Sequence, residues 1–408
     1  MGSTPDALAR LRGYRDASEK LVIGLMTGTS ADAVDAALVR FRGVGIAAVA
    51  EIVAYREQPF EDSLRREVLH VAASEELPLE RLMRLDADLG EAYAETVLAL
   101  LAQAQVGAAA VSAIGSHGQT VRHLPRSANG GRALTLQAGS AAVLAERTGI
   151  LVVSDFRTRD TAAGGEGAPL VPVADWWRFR SDKEGRVLLN LGGMANVTHL
   201  PRGAELDQVV AFDTGPGNSV IDGLMRVSTG GLAHRDDGGQ LAAHGRVNEG
   251  LLEELLADPF FQAEPPRSTG RERFGDAYAG RLRDIGEQLG LSLEDLLATA
   301  AELTAVTVAD AIGRFLSPRG VDAVYVSGGG VRNATLMVAL RRRLEGVVVK
   351  RLDDLGVAAE SKEALAFALL AHLTLSGEAG NVRGATGASS RVVLGHITPG
   401  GLPGREKA

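Results

Sequence analysis

The sequence predicts an α/β chain of two domains, each with its own sheet, and three observations carry that expectation. The first is size, because 408 residues suffice for two separate cores. The second is punctuation: apolar runs of strand length repeatedly stop at glycine-rich turns, where α/β proteins set their ligand loops. The third is an internal echo. A strand, a glycine turn and a second strand open each half, as LVIGLMTGTSADAVDAALV at 21–39 and VLLNLGGMANVTHL at 187–200. In both halves the order then reads β-β-β-α-β-α, a coincidence that points to two related units. The expected boundaries are an N-terminal extension over 1–20, a first domain over 21–152 and a second over 153–389. Residues 390–408 are expected to fold back on the first.

Element by element, the opening segment reads as strand, tight turn and strand, with Gly28, Thr29 and Ser30 at the tip. Residues 46–55 read as a third strand. From 61 to about 105, apolar residues fall three and four apart, the mark of a helix. A short strand over 109–114 ends in the polar turn SHGQTV. A strand at 134–136, a helix around 141–147 and a strand over 150–154 follow. The segment DFRTRDTAAGGEGAPLVP, 155–172, is glycine-rich and aperiodic, and loops of that length in compact domains are usually functional. In the second half a strand ending in FDTGPGN leads into a helix, and 291–316 reads as a long helix with Ser292 as N-cap. VYVSGGGVRN is a strand and a triple-glycine turn, 363–375 a helix, and the chain from Gly384 on a flexible tail. The turn between His234 and His244 reads as a surface hairpin.

Composition bounds the function. The shares of 45% hydrophobic and 23% charged residues are those of an ordinary soluble globular chain. A net charge of -8 argues against nucleic acid or an anionic membrane as the main partner. The absence of cysteine excludes disulfides, iron–sulfur clusters and thiolate zinc sites. No apolar run reaches the roughly 18–20 residues of a membrane span. The first twenty residues lack the apolar stretch of a signal peptide, and Asp6 stands where N-myristoylation needs Ser or Thr. A cytoplasmic protein is the simplest account.

The tip at Gly28 combines bare backbone with two hydroxyls, and Asp32 and Asp35 add carboxylates able to hold Mg²⁺ through its waters. That set suits a phosphate, while an ordinary hairpin with a polar tip is the competing reading. It is not a Walker loop, since no Gly-Lys-Ser/Thr follows. Further polar or glycine turns run from Ser116 to Thr120, Gly192 to Asn196, Asp213 to Asn218 and Gly328 to Asn333. If the halves face each other, these turns converge on a cleft and two glycine hairpins clamp a triphosphate. That is the arrangement of the actin, heat-shock chaperone and hexokinase class of ribonuclease-H-like ATPase folds.

Asp213 ends an apolar strand before a rigid Thr-Gly-Pro-Gly-Asn turn. Ionised at neutral pH, it can take a proton from a bound water or hydroxyl, or it can merely cap the turn's backbone. His117 is expected to be a hydrogen-bonded structural residue, without a second histidine at ligand spacing. Arg157 and Arg159, beside Asp155 and Asp160, read either as a solvated charge cluster or as a fork for a substrate carboxylate. Glu363 opens a helix, where a carboxylate also suits the helix dipole.

Taken together, GLMTGTSADAVD, SHGQTV, TLQAG, DFRTRDTAAGGEGAPL, NLGGMANVT, FDTGPGN, PPRSTGRERF, ELTA, SGGGVRN and EALAFALLA resemble the anhydro-N-acetylmuramic acid kinases. The motifs keep the family's order from about 21 to 399. The resemblance implies an enzyme that opens the 1,6-anhydro ring of anhydro-N-acetylmuramic acid with water. The same enzyme phosphorylates the freed O6 from ATP with Mg²⁺, in cell-wall recycling, and is expected as a homodimer. It implies that Gly28, Thr29, Ser30, Ala31, Asp32, Ala33, Val34 and Asp35 form the ATP phosphate loop. Further nucleotide contacts are expected at Asn190, Gly192, Gly193, Gly215, Gly328, Gly329, Gly330 and Asn333. Asp213 would be the catalytic base, and Thr120, Arg157 and Glu363 the sugar-binding positions. The chain departs from the family pattern at Thr27, Glu166 and Ser140. The competing functions are a plain sugar hydroxyl kinase, using Asp213 on a hydroxyl, and an ATP switch without chemistry on a sugar.

Overall fold

The computed structural model describes residues 9–28, 30–74, 76–126 and 129–400. It divides into two compact units, Met1–Trp177 with Glu360–Ala408, and Arg178–Ala359. Unit 1 holds β1 (Glu19–Thr27), β2 (Ala33–Arg42), β3 (Val49–Pro59), β4 (Val111–Ser116), β5 (Gln119–Leu124), β6 (Leu134–Ala138) and β7 (Val152–Ser154). Unit 2 holds β8 (Arg186–Leu191), β9 (Met194–Leu200), β10 (Val210–Pro216), β11 (Ala323–Ser327) and β12 (Val348–Arg351), and β13 (His396–Thr398) returns to unit 1. The main sheet of unit 1 runs β13-β7-β4-β1-β2-β3 and that of unit 2 runs β10-β9-β8-β11-β12. In each, a three-stranded antiparallel meander is followed by two strands parallel to the first. The echo in the sequence is therefore a repeated topology, the ribonuclease-H-like α/β fold expected for each half.

β1 is the central strand of its sheet, and Val22, Ile23 and Leu25 are buried on both of its faces. This is why its sequence is a continuous apolar run instead of an alternating one. One face packs against Leu85, Leu89, Tyr93 and Val97 of the helix Leu79–Ala104. The other receives the helix Lys362–Ser376 at very short range. A Cβ at Gly24 would lie 1.8 Å from the Ala364 carbonyl oxygen, and one at Gly115 would lie 2.2 Å from that of Phe367. Two glycines on neighbouring strands thus admit this helix to the sheet.

That contact corrects the expected boundaries. The helix 363–375, assigned by sequence to the second domain, belongs with unit 1, as does the segment 153–177. Trp177 donates through Nε1 to the Ala48 carbonyl, and the buried Asp175 pairs with Lys362 at 2.9 Å. The tail is not loose as far as it is described. Asn381 and Thr386 are fully buried, and β13 pairs with β7. Part of the N-terminal extension packs on unit 1: Tyr14 is buried and hydrogen-bonds His372 Nδ1 at 2.8 Å.

Smaller differences are local. The third strand runs Val49–Pro59, and the helical stretch from 61 breaks into Asp62–Ala73 and Leu79–Ala104 at Pro78, whose ring cannot continue a helix. The 155–172 loop contains the short helix Thr158–Ala162. The turn before His244 is a helix cap and not a hairpin, since Asp236 accepts from the backbone N–H groups of Leu241 and Ala242. Ser292 caps Leu293–Ala311 as expected, with Asp295 completing a capping box. Together with its continuation to Arg319, that helix is long and apolar enough to cross a membrane. However, 78% of its most apolar window is buried in the protein, as a core helix requires.

Candidate active site

In unit 1 the β1–β2 hairpin pairs Thr27 with Val34 and Met26 with Asp35, leaving 28–32 as the connection. Thr29 lies outside the described residues. Ala31 takes a left-handed conformation (φ 51) and donates its N–H to the Gly28 carbonyl at 3.1 Å. Gly28 itself needs no special backbone angle, and a Cβ there would meet only Ser30 Oγ, at 3.8 Å. Neither packing nor conformation accounts for glycine at that position. Thr27, one of the departures, is buried and donates to the Gly118 carbonyl at 3.0 Å, so its hydroxyl is engaged within the fold.

Both acids of the hairpin are engaged as well. Asp32 is mostly exposed and accepts from Arg65 at 2.8 Å. Asp35 accepts a short hydrogen bond from Tyr55, and burial raises its carboxyl against that bond. Each uses a single oxygen this way. Among the described residues no group of three or more His, Asp or Glu forms a metal cage.

Of the three expected sugar-binding positions, the structure brings two together. Arg157 Nε donates to His117 Nε2 at 3.0 Å. Burial holds the Arg157 guanidinium down at about 10, while the Glu363 charge works against that shift. Glu363 stands in the first turn of Lys362–Ser376 and is raised by burial. It feels Lys362, Asp35, Asp175 and Arg157, which ties this cluster to the hairpin end. Thr120 sits apart on β5, where its hydroxyl accepts from Gln137 at 3.2 Å. Ser140 is the N-cap of the helix Ala141–Thr148, and the Glu166 carboxylate accepts from the Arg126 N–H. A cavity of 280 Å³ opens between Asp86, His117, Gln137, Ser140, Asp155 and Thr158. Asp160 is no solvated charge. Fully buried, it accepts at 2.8 Å from the Gly167 N–H, Asn381 and Thr386, which organises the 155–172 loop.

In unit 2 Asp213 pairs with Asn196 across β10 and β9, just before a bulge at Gly215. Its Oδ2 accepts from the Thr269 N–H at 2.8 Å and from the Ser268 hydroxyl at 3.0 Å. Oδ1 has no hydrogen bond among the described residues. The backbone is held too, since Asp213 N–H donates to the Arg267 carbonyl and Arg267 Nε to the Asp213 carbonyl, both at 3.0 Å. The guanidinium is fixed by aromatic faces at Phe212, Phe260 and Phe315. Burial pushes the Asp213 carboxyl up to about 6, with the Thr269 and Ser268 bonds pulling it down. Sequence reasoning missed these holders. Their signal was the PPRST motif, which marked the resemblance but carried no assigned role. Asp222 is likewise pushed by burial to about 6, with Arg226 and Arg271 opposing, but its side chain has no hydrogen bond among the described residues.

The glycines of unit 2 fall into two kinds. Gly215 (φ 151), Gly328 (φ 84) and Gly330 are demanded by the fold: a Cβ at Gly328 would lie 2.7 Å from the Leu191 carbonyl oxygen, and one at Gly330 would lie 2.6 Å from Leu191 Cβ. Gly192, Gly193 and Gly329 are not, because their Cβ positions have no neighbour nearer than 3.4 Å. The β8–β9 tip is tied down through its carbonyls, which accept from the N–H groups of Gly217, Asn218 and Ser219. Thr304, from the ELTA stretch, holds the Gly217 carbonyl at 3.2 Å. Asn190 lies on β8 beside Ser327 of β11. Asn333 is buried, and its Oδ1 caps Ala334–Arg343 by accepting from the Leu336 N–H at 3.0 Å.

Comparison with known proteins agrees with these motifs. The model of a family described as anhydro-N-acetylmuramic acid kinase matches residues 20–400. A protein of that name from Caldanaerobacter subterraneus is 42% identical over 393 residues, covering 95% of this chain and 99% of its own. One from Gloeobacter violaceus is 43% identical over 381 residues, covering 93% and 99%. Another, from Salinibacter ruber, is 43% identical over 385 residues, covering 93% and 96%. The chain belongs to the anhydro-N-acetylmuramic acid kinase family.

Proposed function

We propose that this chain opens the 1,6-anhydro bridge of anhydro-N-acetylmuramic acid with water and phosphorylates the freed O6 from ATP. The products are N-acetylmuramate 6-phosphate and ADP, in the recycling of cell-wall sugar. The single observation that supports it best is Asp213, a carboxylate anchored through one oxygen with the other left for a proton. The anhydro sugar has no free 6-hydroxyl, so a nucleophile must first come from water. Asp213 Oδ1 takes a proton from that water as its oxygen bonds to the anomeric carbon. The bond from that carbon to O6 breaks, O6 attacks the γ-phosphorus, and ADP leaves with the electrons of the bond to the β-phosphate oxygen. A base near pH 6 is mostly ionised at neutral pH while still able to hold a proton.

Arg157 presents its guanidinium to the sugar's carboxylate, with Glu363 and Thr120 on its hydroxyl and amide groups. Hydroxyls and bare backbone from Gly28 to Asp35, with Gly192, Gly193 and Gly329, suit the nucleotide. Mg²⁺ bound with ATP neutralises phosphate charge. Asp32 and Asp35, each with one oxygen left over, fit a role through its waters and not a dedicated cage. The use of ATP supports a cytoplasmic location. The homodimer rests on the resemblance, and sedimentation of the purified chain tests it.

Reaction in ¹⁸O-labelled water tests the chemistry. Label should enter the product at the anomeric carbon, in samples taken early and compared with unreacted sugar to discount exchange. Label in the phosphate instead would make the chain an ATPase switch. Turnover restricted to sugars with a free 6-hydroxyl would make it a plain sugar kinase.

A further inference from the structure

We propose that His117 is a positioning residue that orients the Arg157 guanidinium for the substrate's carboxylate. The inference rests on the sugar-binding reading of Arg157 and adds a second residue to it. A guanidinium can only donate, so the 3.0 Å bond from Arg157 Nε requires a lone pair on His117 Nε2. The imidazole is therefore neutral with its proton on Nδ1, consistent with burial and the Arg157 charge holding its pKa well below the usual range.

The ring is itself immobilised. The His117 N–H donates to the Leu25 carbonyl at 3.1 Å, which fixes the backbone just past β4 against β1. The ring centroid lies 4.6 Å from that of Phe367. Phe367 and Glu363 stand four residues apart, on one face of the helix Lys362–Ser376. One helix therefore supplies both the ring that seats His117 and the carboxylate whose field acts on Arg157. With Nε occupied from behind, the two terminal nitrogens of Arg157 have no hydrogen bond among the described residues. They remain as a planar fork of the kind that binds a carboxylate at two points.

His117 is only 3% exposed, and the Gly118 backbone favours a proton on its ring while Arg157 takes the lone pair at Nε2.

Steady-state kinetics on the full chain tests the inference with three substitutions, His117→Gln, His117→Asn and His117→Phe, alongside Arg157→Lys. Gln can place an amide oxygen near Nε2, Asn is too short, and Phe keeps the ring packing without an acceptor. The Asn and Phe variants should raise KM for anhydro-N-acetylmuramic acid about tenfold, with KM for ATP unchanged, and Gln should recover most of the loss. For 1,6-anhydro-N-acetylglucosamine, which lacks the carboxylate, inhibition constants should be the same in all four His117 forms. Raised sugar KM in Arg157→Lys with wild-type KM in His117→Phe and His117→Asn would overturn the positioning role. So would a Gln variant no better than Asn. Unchanged sugar KM in Arg157→Lys itself would instead remove the reading of Arg157 on which the inference stands.

Discussion

The β1–β2 hairpin of unit 1 and the β8–β9 hairpin of unit 2 occupy the same place in equivalent sheets, but they hold their polar groups in opposite ways. In unit 1 each acid beside the tip is held through one oxygen by a side chain, Asp32 by Arg65 and Asp35 by Tyr55. In unit 2 the tip is bare backbone fastened through its carbonyls. The acid on the neighbouring strand, Asp213, is held by Ser268 and Thr269 at one oxygen and pushed up by burial. A shared topology thus carries paired acids beside one hairpin and a buried carboxyl with a raised pKa beside the other. The difference arises outside the repeat, in what packs against each hairpin.

The largest effect should come from removing that titratable group. Asp213→Asn is expected to lower kcat at least about a hundredfold while leaving ATP affinity nearly intact. Asp222→Asn, which changes the rival carboxyl of similar pKa, should cost no more than about threefold, because no hydrogen bond among the described residues aims that side chain. Equal losses in the two variants would erase the distinction. A proton-accepting Asp213 works in its ionised form, so on the proposed mechanism kcat/KM should fall as pH drops through about 6.

Stability should move the other way in Asp213→Asn. The carboxyl's folded value is raised from 3.8 to about 6, so the folded state binds its proton more tightly and loses stability as pH rises across that window. Replacing it should stabilise the protein at pH 7 by up to about 3 kcal/mol and have little effect below pH about 4. Denaturant titrations at the two pH values measure this directly.

An effect of intermediate size should separate the two kinds of glycine. Gly328→Ala places a Cβ against Leu191 backbone at positive φ, and should destabilise by about 1–3 kcal/mol. Gly329→Val and Gly28→Val meet open space, so their thermal midpoints should hold while nucleotide Kd rises about tenfold. Calorimetric titration that found unchanged Kd would return both turns to ordinary hairpin tips. Smallest of all, Arg65→Ala breaks an exposed pair with Asp32 and should change stability by less than about 1 kcal/mol.

Much of this molecule was legible in order of residues alone. Strand periodicity and glycine turns marked both meanders and their repetition, and Ser292 announced its cap, because these patterns are set by residues a few positions apart. The same range of influence explains what was misplaced. The helix Lys362–Ser376 looks like any apolar helix until Gly24 and Gly115, more than two hundred residues away, are seen to make room for it. Asp160 and Arg159 are near neighbours of similar polarity, but only Asp160 is buried, by Asn381 and Thr386 arriving from the tail.

The candidate site divides along the same line. Residue types and motif order marked Asp213, Arg157 and the glycine turns as the candidates for the chemistry. Tertiary structure decided that Ser268 and Thr269 hold the Asp213 carboxylate, that His117 accepts from Arg157, and that Asn333 Oδ1 caps a helix. Hydrogen-bond geometry and desolvation depend on which distant segments close around a group, and no local pattern in the chain encodes that.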